Sequence, residues 1–166
     1  MPALFFMAAT EVECSDRIGN EELFDRYSVG LFAPTEPLAD AEEALCRWVD
    51  EVSQRDVVVV SGFHSPLEKM ALELLLAAGC SVVMVLGRAL YKKIPAMLKK
   101  PFDEGRVLIV SASPSARHSY RSGQTRNWYI ADNVRELVFM PFSPDSALST
   151  LHYTFSRYSA IPIRIL

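Results

Sequence analysis

The sequence predicts an α/β protein, a doubly wound and mostly parallel sheet with helices on both faces. Three observations lead there. Five apolar runs recur along the chain: "SVGLFA" (28–33), "VVVV" (57–60), "SVVMVL" (81–86), "VLIV" (107–110) and "LVFM" (137–140). Each is nearly continuous rather than alternating, as strands covered on both faces are. Helical patterns fall between the runs, and strand–helix alternation specifies a parallel sheet joined by right-handed crossovers. Finally, 166 residues, half of them hydrophobic, suit one domain with a packed core.

In chain order, residues 1–27 read as an N-terminal extension to a domain spanning 28–166. The opening "MPALFFMAATEVECSD" has an apolar patch without a basic leader, and reads as a strand or docked segment rather than a signal peptide. Leu38, Ala41, Leu45, Trp48 or Val49, and Val52 recur at helical spacing before the second run. Leu67, Met70, Ala71, Leu74, Leu75 and Ala78 do so after it, and Gly79 supplies a stop. Weaker helical patterns cover 89–99, 124–135 and 145–156. The last run, "IPIRIL" (161–166), contains Pro162 and suits a sheet edge.

The net charge of −3 hides an asymmetry. Residues 1–56 carry 13 acidic and 4 basic side chains, whereas residues 57–131 carry 4 acidic and 10 basic. The basic middle offers an anion-attracting surface. No apolar run approaches the roughly 18 residues of a membrane helix. Three widely spaced cysteines, Cys14, Cys46 and Cys80, form no CxxC and fit a reducing, cytoplasmic setting. The three histidines lack metal-ligand spacing, so no metal is expected. The glycine-rich dinucleotide and triphosphate loops are absent, as is the nucleophile-elbow motif. No cofactor and no catalytic residue is therefore assigned, and the chain reads more as a binding protein than an enzyme.

Two stretches carry the candidate site. In "SGFHSPLEK" (61–69), Ser65 is a good N-cap, Pro66 suits the first helical position, and Glu68 completes a capping-box pattern. A helix opening behind a strand exposes amides at the edge of the sheet where ligands gather. A phosphate held by Ser61, Gly62, His64 and Ser65 is one reading; a turn closed on its own caps is the other. In "SASPSARHSYRSGQTRNWYIAD" (111–132), Arg117, Arg121 and Arg126 interleave with His118, Tyr120, Trp128 and Tyr129. Arginine forks suit phosphates and aromatic faces suit bases. Arg88, after the third run, belongs to the same edge. Thr35, Ser143, Ser146 and Thr150 are additional pocket candidates, with plain helix capping favoured around Ser143 and Asp145.

These residues resemble the DNA-processing protein A family (DprA, or Smf), part of a nucleotide-binding superfamily that includes the LOG enzymes. The resemblance covers about residues 28–155. A strand ends in "VSG" and feeds a helix; a later strand ends in "VLGRAL"; a basic loop then opens a helix with "RN". The family's Ser-Gly-Gly-type loop maps onto Ser61 and Gly62, its Arg-Asn-Arg motif onto Arg126 and Asn127, and its Ser-Gly-Ser-Leu-x-Thr segment onto Ser146 and Thr150. Trp128 replaces the motif's second arginine, and the usual Gly-Gly-Ala-Arg-Gly-Ile-Asp is here "SGFHSPLEK". The resemblance implies a Rossmann-like fold, an anion pocket, a homodimer, and single-stranded DNA or a nucleotide-derived ligand as partner. The alternatives are a LOG-like hydrolase acting on nucleotides, for which Asp145 is the available acid, and a nucleotide-ligand sensor or scaffold.

Overall fold

The computed structural model describes residues 16–166, and the reading of the first fifteen residues, Cys14 included, falls outside them. Seven strands form one sheet: β1 (Arg17–Gly19), β2 (Ser28–Phe32), β3 (Val58–Ser61), β4 (Ser81–Leu86), β5 (Val107–Ser111), β6 (Glu136–Phe139) and β7 (Ile163–Ile165). Their order is β1-β5-β4-β3-β2-β6-β7. Only β1 runs antiparallel, along β5; the other pairings are parallel. The five apolar runs become β2 to β6. Every residue of β2, β3 and β5 is buried, which explains why these runs show no alternation.

Five helices flank the sheet: α1 (Ala41–Val52), α2 (Pro66–Ala77), α3 (Ala96–Asp103), α4 (Tyr120–Asn133) and α5 (Ala147–Tyr158). Their distribution follows from the handedness of crossovers. The steps β2 to β3, β4 and β5 all travel one way across the sheet, so α1, α2 and α3 share one face. There Leu45, Trp48, Leu67, Leu75 and Leu98 form one core layer. The chain then jumps back from β5 to β6 and onward to β7, so α4 and α5 cover the other face. Ile130, Leu148, Leu151 and Phe155 pack there, with Leu23 from a short 3-10 helix (Glu21–Asp25). Each fully buried aliphatic side chain contributes about 1.5–3 kcal/mol. Gly30 in β2 lets α4 approach closely, because a Cβ there would stand 3.1 Å from Val134 and 3.2 Å from Ile130.

Helix boundaries differ from the sequence pattern: Leu38 lies exposed ahead of α1, the pattern over 145–156 becomes α5 at Ala147–Tyr158, and two differences are larger. The helix expected over 89–99 begins only at Ala96. Pro95 disfavours helical geometry at Ile94, so Leu90, Tyr91 and Ile94 pack on the core from a loop. The helix expected from 124 begins at Tyr120, because Ser119 and Ser122 build a reciprocal capping box. The stop at Gly79 is as expected: φ is +81°, Cys80 N donates to Leu75 O and Gly79 N to Leu76 O. Among the described residues, no helix is long and apolar enough to cross a membrane.

The reversal of strand order lies between β2 and β6. At their carboxyl ends the loops diverge to opposite faces and leave a crevice, the position where ligands bind in open α/β sheets.

Candidate functional site

A cleft of about 540 Å³ occupies that crevice. This is within the usual range for small-ligand sites, roughly 300–1,000 Å³. Four segments meet in it: the β2–α1 loop with Thr35, the start of α2 with His64 and Ser65, the start of α4 with His118, Tyr120 and Arg126, and the start of α5 with Ser143 and Ser146.

The helix start that the sequence singled out is held by Glu68. Its side chain is 3% exposed; Oε2 accepts from Ala33 N at 2.9 Å and Oε1 from His64 N at 3.1 Å. Ser65 Oγ caps Glu68 N. The capping pattern is therefore altered from that expected: the carboxylate reaches to His64 N and across to β2 rather than to the Ser65 amide. Glu68 thus ties the ends of β2 and β3 together and takes amides that the phosphate reading had reserved for a ligand. The turn bends through Phe63, whose φ of +46° is left-handed although its side chain is buried in the core. Such a conformation costs on the order of 1–3 kcal/mol in a non-glycine residue. Ser61 Oγ accepts from Phe63 N and supports the bend.

Arg126 forms the floor. It is 7% exposed, and its guanidinium rests against Gly62, where a Cβ would stand 2.5 Å from Nε. Nε and one terminal nitrogen donate to Asn127 Oδ1 at 3.2 and 3.1 Å, while the other terminal nitrogen lies 3.3 Å from His118 Nε2. A guanidinium has donors only, so this contact makes Nε2 the acceptor and leaves the His118 proton on Nδ1. No carboxylate lies within ion-pair distance of Arg126 among the described residues. Burial lowers its pKa and the nearby Glu68 charge opposes that shift, yet an arginine stays protonated.

His118 is seated in a slot made by two glycines. A Cβ on Gly87 would come within 2.9 Å of its ring, and one on Gly123 likewise. His64 stacks on the other side, with ring centroids 4.0 Å apart and planes inclined by 24°. Both imidazoles titrate below the ordinary histidine value. For His64 the causes are loss of solvent and then the Arg126 and Lys69 charges; for His118 they are loss of solvent, then His64 and Arg126. Each ring therefore holds a proton less readily than a free imidazole does, beside a buried cation.

The structure brings His64, Ser65, His118, Arg126, Asn127, Thr35, Ser143 and Ser146 into the cleft lining. Ser61 and Gly62 lie beneath it, shaping the loop and seating the guanidinium. Arg88, Arg117, Arg121 and Thr150 are outside the lining. Arg88 turns over the ring of Tyr91 at 5.2 Å. Arg117 and Arg121 are exposed on the loop and first turn leading into α4, and Thr150 is exposed on α5. Sequence reading assigned no site role to Glu68, Gly87 or Gly123. Gly123, in the first turn of a helix, offered one signal: glycine costs about 1 kcal/mol against alanine there, so its presence points to a close approach. Among the described residues no group of three metal-ligating side chains gathers.

The sheet order and the cleft at its switch point define a Rossmann-like α/β domain. Neither a family model nor a curated protein sequence matches the chain. Several solved structures are similar to it, two of them DNA processing proteins A. DNA processing protein A from Helicobacter pylori, described for its single-stranded DNA binding mode, aligns with a TM-score of 0.70 at 17% identity, over 95% of this chain and 75% of that one. DNA processing protein A from Streptococcus pneumoniae aligns with a TM-score of 0.63 at 17% identity, over 89% of this chain and 62% of that one. The chain has the DprA-like fold that its sequence pattern suggested.

Proposed function

We propose that this chain is a DprA-like nucleic-acid-binding module that holds a phosphate of single-stranded DNA, or of a nucleotide, in the cleft between β2 and β6. The carrying observation is Arg126, a buried guanidinium at the cleft floor with no carboxylate in ion-pair contact among the described residues. A buried cation in no direct ion pair is costly, the nearby Glu68 charge being engaged with two amides, and an anionic ligand offsets that cost. Asn127, Gln124, Thr35 and Ser143 line the same space and supply polar contacts. The exposed Arg117 and Arg121 beside the cleft extend the positive surface along which a strand would run. The single-stranded DNA named for the Helicobacter pylori neighbour supports this ligand class.

The test is binding of a fluorescent single-stranded oligonucleotide at two salt concentrations, for wild type and Arg126→Lys. The expected result is affinity falling by about 0.7 log units per log unit of salt for each phosphate neutralised, and weakened by the substitution. Absence of binding, or salt-independent binding, overturns the reading.

A homodimer in the cytoplasm belongs to the same proposal. Tyr153, Tyr158 and Ile165 leave apolar surface exposed on α5 and β7, and Cys46 and Cys80 are free thiols. Sedimentation at micromolar concentration tests the dimer. One observation favours the hydrolase alternative: Asp145, the acid that such chemistry requires, does line the cleft. Release of free base from nucleoside monophosphates would establish it.

A further inference from the structure

We propose that the cleft selects a terminal phosphate monoester over an internal phosphodiester, and that one proton enters the stacked His64–His118 pair when the ester binds. The inference rests on the nucleic-acid reading above and adds the kind of phosphate recognised.

Several backbone amides around the cleft are already engaged by side chains. At α2, Glu68 takes His64 N and Ser65 takes Glu68 N, and Glu68 also takes Ala33 N at the end of β2. At α4, Ser119 takes Ser122 N; at α5, Ser146 takes Leu148 N. Amides carry no formal charge, so a full charge to balance a phosphate comes from side chains. The positive groups that act on the stacked pair are Arg126 from α4, on both rings, and Lys69 from α2, on His64. The acidic groups around it are Glu68, with both oxygens engaged, and Glu36 and Asp145 in the cleft lining.

A phosphodiester carries one negative charge, which Arg126 alone balances. A monoester carries close to two near neutral pH, since its second ionisation lies at about 6. The second charge requires a second cation inside the cleft, and with Lys69 outside the lining the stacked rings are the groups in place to become one. Without a ligand, a proton on either ring would sit beside Arg126 and against its stacked neighbour, which like-charge repulsion disfavours; the lowered titration of both histidines agrees with this. A dianion reverses the sign of that interaction. His118 accepts from Arg126 through Nε2 at 3.3 Å, so a proton there breaks an existing contact. His64 has no ring hydrogen bond among the described residues and takes the proton from solvent.

The experiment compares one oligonucleotide in three forms: with a 5′-phosphate, with a 3′-phosphate, and with neither. Binding is followed by calorimetry at roughly pH 6 and pH 8, in buffers of different ionisation heat. The expected result is at least about tenfold tighter binding of a phosphorylated form. Its enthalpy should vary with buffer, reporting uptake of about one proton, and the uptake should vanish in His64→Ala. Equal affinity for the three forms, or tight binding without proton uptake, overturns this inference and leaves the nucleic-acid reading standing. Uptake that persists in His64→Ala overturns the assignment to that ring. No binding of any form overturns both readings together.

Discussion

Gly62 and Arg126 are in contact in a way that admits no side chain at position 62: a Cβ there would stand 2.5 Å from Nε, 2.7 Å from Cζ and 2.8 Å from Cδ of the arginine. The glycine is the seat of the guanidinium, and the end of β3 places it there beneath the cleft. Gly62→Ala must therefore push Arg126 upward into the cleft or displace the loop. Overpacking of this kind costs typically about 1–3 kcal/mol, and Arg126 would also lose its alignment with Asn127. The expected outcome is a stability loss in that range by urea unfolding, with oligonucleotide affinity down by at least about tenfold. A variant that keeps wild-type affinity would show that the seat is dispensable.

Glu68 is the second residue on which the cleft depends. Each hydrogen bond from an amide to an ionised carboxylate contributes roughly 1.5–3 kcal/mol, and Glu68 makes two across separate segments, to Ala33 and His64. Glu68→Ala leaves both amides unpaired in a buried place, and should cost about 3–5 kcal/mol in chemical unfolding. Glu68→Gln should cost less, about 1–3 kcal/mol, since one oxygen remains an acceptor while the new amide faces an N–H. Equal losses for the two variants would argue that packing of the stem, not the carboxylate, holds the loops.

The stacked histidines make stability pH-dependent with a defined sign. Both titrate below the ordinary value in the folded chain, which is about 6.5 when unfolded. As pH falls below that value the unfolded chain binds protons that the native pair refuses, so stability declines. The decline is complete once pH passes below the folded values. Urea midpoints measured between roughly pH 7.5 and 5 should fall, and fall less steeply in His64→Gln. A slope unchanged by the substitution would mean that His64 titrates normally.

The fold was legible because burial on both faces forces continuous apolar strands, and "VVVV" or "SVVMVL" has few other readings. The location of the cleft followed from topology alone. Its chemistry was harder to read, for a physical reason: the decisive relationships join residues far apart in sequence. Arg126 was identifiable as an arginine in a basic loop, yet its burial depends on a glycine 64 positions earlier. Glu68 matched a local capping pattern, and that match concealed its longer reach to Ala33. Arg117 and Arg121 carried the same basic-loop signal as Arg126, but only Arg126, five residues beyond Arg121 in α4, is buried.

A last prediction concerns Asp132, in the final turn of α4 and half-buried. Burial alone raises its carboxyl from 3.8 to about 6. It has no ion pair or hydrogen bond among the described residues, and a negative charge at a helix C-terminus opposes the macrodipole. The sign is opposite to that of the histidines: the folded value lies above the unfolded one, so the ionised carboxylate destabilises above pH 6, and the penalty disappears as pH falls toward 4. Asp132→Asn removes the charge with little change in shape. Discounted for the solvent that still reaches the group, the expected gain at pH 8 is about 1 kcal/mol, or roughly 2–4 °C in Tm. At pH 4 the two proteins should unfold together. A gain that persists at pH 4 would assign the effect to contacts of the amide rather than to the buried charge. The same substitution also isolates the histidine slope, because it removes a titration of opposite sign from an overlapping pH window.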